Sequence, residues 1–155
     1  MTTSSPIKSL PPLPTAILFD LDDTLISAYG QPRAAWEKVV AEFADEVAPL
    51  SQTDAVDAIS AFALEFWTGT QAHHKKWRLR LKDARREIVR EGLQRTERFG
   101  TAGPDVDFVH AMADRFSDLR EEELTPFTGS RDTIETLQDK GGELARIHNG
   151  GNGTE

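Results

Sequence analysis

Two short strand-like runs, one near each end, with an unbroken helical pattern between them, constrain this chain more than any other feature. Ala16-Ile17-Leu18-Phe19 lies between Pro14 and Asp20. A run this short, continuous in its apolar character, suits a strand buried on both faces of a parallel sheet. Glu143-Leu144-Ala145-Arg146-Ile147-His148 is the second strand candidate. Parallel neighbours need a crossover connection, and here residues 33–124 supply one that is helical throughout. The expected fold class is therefore α/β: about two parallel strands with an all-helical block inserted after the first.

The helical pattern divides into four. Trp36, Val39, Val40, Phe43 and Val47 recur at steps of three and four, ending near Pro49. Ser51 or Thr53 caps a second helix with Val56, Ile59, Phe62, Ala63, Phe66 and Trp67 inward, closed by Gly69. A third runs from about His73 to Arg98. It places Trp77, Leu81, Ala84 and Ile88 on one face and Lys75, Lys82, Arg86 and Arg90 on the other. The fourth follows Gly103-Pro104, with Val109, Met112, Ala113 and Phe116 inward, and breaks at Pro126. Beyond it, Phe127-Thr128-Gly129-Ser130 turns into a short helix, residues 132–140, with Ile134 and Leu137 on its buried side. The expected organisation is a flexible leader (1–14), a core segment with the first strand and its loop (15–30), a helical insertion (31–124), and a returning core segment with a glycine-rich tail (125–155).

A chain of 155 residues with 38% hydrophobic and 28% charged residues belongs with soluble globular proteins. A formal net charge of -8 argues against general nucleic-acid binding, which rewards a basic surface. The charge is uneven: ten of the 18 Lys and Arg, but four of the 26 acids, fall within residues 73–98. With no Cys, disulfides and thiolate chemistry are excluded. No apolar run approaches the ~20 residues that span a bilayer. The opening residues lack the apolar region of a signal peptide. The expectation is a cytoplasmic protein with neither membrane nor nucleic acid as partner. Oligomeric state is not legible.

The chemistry is concentrated where the first strand ends, in Asp20-Leu21-Asp22-Asp23-Thr24-Leu25. At the carboxyl end of a parallel strand, two carboxylates at i and i+2 can face the crevice where open α/β sheets bind ligands. One carboxylate can attack phosphorus and split a hard displacement into two easier ones. The other can protonate the leaving oxygen and later activate water. Magnesium suits such oxygen donors. The plainer alternative is an acidic turn, since Asp is common where chains reverse.

Ile17-Leu18-Phe19-Asp20-Leu21-Asp22-Asp23-Thr24-Leu25 resembles the first motif of the haloacid dehalogenase superfamily, an apolar strand followed by Asp-x-Asp-x-Thr. The helical insertion is similar to the cap of its phosphoglycolate-phosphatase-like and N-acylneuraminate-9-phosphatase-like members. The string from Lys82 to Val89 and the return segment from Pro126 to Ser130 also resemble this group. The likeness implies an incomplete Rossmann-like core with a helical cap, and a magnesium-dependent phosphatase acting on a small phosphorylated metabolite through an aspartyl phosphate. On that resemblance Asp20 is nucleophile and metal ligand. Asp22 is general acid/base and contributes its backbone carbonyl to the metal, and Thr24 helps fix the loop. Asp at position 22 favours phosphatase over dehalogenase chemistry.

The family's second motif is a strand ending in Ser or Thr, often before Asn-Gly. Asn149 and Gly150 match it, while His148 stands where the phosphate-binding hydroxyl belongs and Arg146 interrupts the strand. The alignment puts His148 and Asn149 near the phosphate; the plainer alternative for His148 is a terminal residue of a frayed tail. No candidate for the third or fourth motif follows, and two strands make a poor sheet. These departures lead to the expectation of a truncated form with impaired activity. The alternative is a non-catalytic helical binding or regulatory module derived from such an enzyme. A signalling receiver domain, which also uses acids and magnesium, would need alternating strands and helices. The basic helix face reads as solvated surface held by spaced ion pairs, or else as an attractor of an anionic phosphate substrate. Trp36, Trp67 and Trp77 read as packing anchors, and His73-His74 lacks the spacing of a zinc site.

Overall fold

Apolar residues at helical spacing between Pro32 and Glu122 have mutual partners, and they build the core of the larger of two units. The computed structural model describes residues 14–27, 30, 32–141 and 143–147, and of Arg146 and Ile147 the backbone alone. The two units divide at the bonds 26–27 and 125–126.

The helical unit holds α1 (Pro32–Glu42), α2 (Ala44–Val47), α3 (Gln52–Trp67), α4 (Gln71–Trp77), α5 (Leu81–Gln94) and α6 (Val106–Glu122), with a 3₁₀ turn at Gly100–Ala102. α3 starts where the Ser51 side chain accepts from the Asp54 amide, satisfying one orphan donor of the first turn. α6 starts at Asp105, whose carboxylate accepts from the amides of Asp107 and Phe108. α3 packs on α5, α5 on α6, and α1 on both α3 and α6. The fully buried side chains include Val39, Val40, Ile59, Val89, Leu93 and Met112, each contributing about 1.5–3 kcal/mol on leaving water. Trp36 stacks on Phe116 with ring centroids 3.7 Å apart. Ser117, the buried polar residue of this core, donates to the Ala113 carbonyl at 2.9 Å, which removes the cost of its burial.

Two expectations about the helices are corrected here. The long basic helix is two, because α4 ends at Trp77 and α5 begins at Leu81, with Arg80 in a non-helical conformation between them. Leu81 is exposed, since it opens α5 before that helix reaches its neighbours. Along the basic face, Arg86 pairs with Asp114 and Arg90 with Glu87 and Glu91, while Lys75 and Lys82 remain exposed. Trp36 is buried, and Trp67 and Trp77 pack partly buried against the core, as the spacing of the aromatics predicts.

The smaller unit holds β1 (Ala16–Asp20), α7 (Ser130–Asp139) and β2 (Glu143–Ile147). β1 and β2 pair in parallel, Ala16 opposite Glu143 through Asp20 opposite Ile147. The expected mixed α/β class, a two-stranded parallel sheet with a helical insertion, is the observed one. The expected burial of the first strand is not. Ile17 and Phe19 are half-buried, and Leu18 on the other face is 59% exposed. The two strands and one helix among the described residues of this unit offer too few partners to cover both faces.

Candidate active site

Successive strand side chains alternate between faces, so β1 sends Ile17 and Phe19 one way and Leu18 and Asp20 the other. A groove of about 490 Å³ lies on the Phe19 side, lined by Phe19, Leu21, Leu25, Ile134 and Leu144 among others. Its lining is mainly apolar and excludes both Asp20 and Asp22. This groove is therefore not where the carboxylates sit.

Asp20 is the last residue of β1 and is exposed; Asp22, two residues on, is half-buried. The turn that holds them closes on one acceptor. The amides of Leu25, Ile26 and Thr24 converge on the Leu21 carbonyl at 3.0, 3.2 and 3.4 Å. The Asp23 amide donates to the Ile26 carbonyl at 2.8 Å. Asp23 takes φ 52°, a left-handed conformation that Asp tolerates better than most side chains. A bridge from Ile26 to Pro126 and a bond from the Phe127 amide to the Leu25 carbonyl, 3.0 Å, fasten this turn to the returning segment. Thr24 is exposed at the tip. Backbone bonds thus close a tight turn with the Asp20 carboxylate before it and those of Asp22 and Asp23 inside it.

Oxygen donors of this kind match magnesium, which takes one or two carboxylates and leaves its other positions to water and phosphate. Among the described residues, no three His, Cys, Asp or Glu side chains come together in a group able to hold a metal. Asp20, Asp22 and Asp23 are the carboxylates at the turn. His148 and Asn149, expected near the phosphate, lie outside the described residues.

A family model described as haloacid dehalogenase-like hydrolase matches residues 14–150. The chain belongs to the haloacid dehalogenase-like hydrolases. The match spans the strand, the turn, the whole helical insertion and the returning segment, so this hydrolase carries the family pattern through both units. No curated protein and no solved structure matches it. None of the helices among the described residues is long and apolar enough to cross a membrane.

Proposed function

We propose that this hydrolase is a phosphatase of the cytoplasm, acting on a small phosphorylated metabolite, with Asp20 as nucleophile. The observation that carries the reading is the placement of Asp20, exposed at the carboxyl end of a parallel strand, with Asp22 held two residues on by the turn around Leu21. In this reading an Asp20 carboxylate oxygen attacks phosphorus, the bond to the leaving oxygen breaks, and an aspartyl phosphate forms. Asp22 gives its proton to the leaving oxygen and then takes one from the water that hydrolyses the acyl phosphate. Magnesium held by the Asp20 side chain and by Asp22 would neutralise phosphate charge beside the carboxylates. Thr24 supports the turn, and His148 and Asn149 hold phosphate oxygens.

The test is magnesium-dependent hydrolysis of p-nitrophenyl phosphate by the chain and by its Asp20→Asn variant. Turnover that depends on magnesium and disappears in Asp20→Asn supports the reading; equal turnover in the two ends it. A second reading, a non-catalytic helical binding module, is favoured by one observation. Every buried apolar residue described lies between Ala35 and Leu119, in the helical unit. Silence of both proteins, with cooperative unfolding of the helical unit intact, would favour it.

A further inference from the structure

Most arginines of the helical unit have a carboxylate within reach. Arg33 meets Asp57, Arg80 meets Asp83, Arg86 meets Asp114, Arg90 meets Glu87, Arg95 meets Glu65 and Arg115 meets Glu42. Arg85 differs. It is half-buried on α5 with its guanidinium over the Phe116 ring, 5.6 Å from the centroid, and no side-chain acceptor among the described residues binds it. The ring contact uses the face of the guanidinium and leaves its five N–H donors, which lie in the guanidinium plane, unassigned. Burial pushes the Arg85 pKa down, Glu121 opposes this, and nearby Arg120 adds to it. A second cation beside a half-buried arginine is unfavourable for the free protein.

Arg120 is itself 13% exposed, donates to the Gly30 carbonyl, and stands 4.0 Å from Glu123. Glu123 in turn takes Lys38 at 2.6 Å, so one carboxylate serves two cations. This corner of the helical unit groups Arg120 and Lys38 with Glu121 and Glu123 beside Arg85, which lies over Phe116 stacked with Trp36. Stability alone does not account for it: a cation–π contact is worth about 0.5–1 kcal/mol at such sites, and an apolar side chain would cover Phe116 without the desolvation.

The geometry points to an oxyanion site on the helical unit, in which the in-plane N–H fork of Arg85 grips a carboxylate or phosphate group of a small ligand over Phe116, with Arg120 adding charge. A planar fork matches two oxygens of either group, and the partial burial strengthens the pairing relative to an exposed lysine. This site requires nothing of Asp20 and stands apart from the proposed phosphatase chemistry.

Tryptophan fluorescence of the full chain reads it, because Trp36 stacks on the ring under Arg85. Inorganic phosphate and acetate are titrated separately at constant ionic strength. The expected result is a saturable change with at least one of them, and the responding anion names the group bound. Arg85→Met keeps the stem over Phe116 and is expected to weaken binding at least tenfold while melting at or above the temperature of the parent. Arg85→Lys keeps the charge but not the fork and is expected to weaken binding by a smaller factor. Lys82→Gln, which removes an exposed charge on the same helix, is expected to bind within twofold of the parent. The proposal is overturned if neither anion saturates, or if Lys82→Gln weakens binding as much as Arg85→Met. It is overturned equally if Arg85→Met and Arg85→Lys both lose several degrees of melting temperature with binding unchanged.

Discussion

Arg86 on α5 and Asp114 on α6 meet in a two-point ion pair, Nε to Oδ1 at 3.2 Å and Nη2 to Oδ2 at 2.7 Å. Their side chains are 31% and 38% exposed, and the paired carboxylate holds the Arg86 pKa above the usual arginine value. The fork geometry ties two helices that also share the core. At this exposure solvent and salt remove much of the Coulomb energy, leaving a coupling of about 0.5–1 kcal/mol. A double-mutant cycle with Arg86→Ala and Asp114→Ala in urea should return that value. A coupling indistinguishable from zero would make the pair ornamental.

Gly92 allows α5 to approach α3. A Cβ built there would lie 2.8 Å from the Ile59 Cα and 3.1 Å from the Ala58 carbonyl oxygen, both backbone atoms that cannot swing away. Helix propensity favours Ala over Gly by about 1 kcal/mol, while forcing the two helices apart costs about 1–3 kcal/mol. Gly92→Ala should therefore lower the denaturant midpoint, against the propensity scale. A raised midpoint would show that the two helices separate without penalty.

The helical unit should lose stability in acid. Side-chain hydrogen bonds from Arg115, Arg95 and Lys38 hold Glu42, Glu65 and Glu123 below the usual glutamate range. A carboxyl whose folded pKa is depressed contributes stability above its unfolded value, about 4.3, and that stability is lost as pH falls through the folded value. Melting temperature should drop between about pH 5 and about pH 3, and salt should flatten the drop because these pairs are exposed. Glu42→Gln with Glu65→Gln should shrink it. Superimposable profiles for parent and variant would remove these pairs as its cause.

Asp22 and Asp23 are neighbours with different expected roles. If Asp22 moves the proton in the proposed reaction, Asp22→Asn should lower kcat by about 10²–10⁴ with an unchanged circular dichroism spectrum. Asp23→Asn should keep turnover near that of the parent, since Asn also tolerates φ 52°. Equal losses in the two variants would indicate a disturbed turn, not a lost proton carrier.

What could be read from the residues alone was local. The turn from Leu21 to Ile26 announces its own backbone, because its hydrogen bonds close within six residues, whereas the strand before it bonds to distant β2. The inward faces of α3, α5 and α6 follow from helical spacing, since burial selects apolar residues at steps of three and four. The break between α4 and α5 was hidden because residues 78–80 contain no Gly or Pro and match a helical pattern. Only folding brings Asp114 to Arg86, Ile59 to Gly92 and Phe116 to Arg85, across separations along the chain that no periodicity encodes. Sequence thus determined which segments are strand or helix and where the carboxylates stand. Tertiary packing decided which charges are matched and which glycine is indispensable, because both depend on distances between helices.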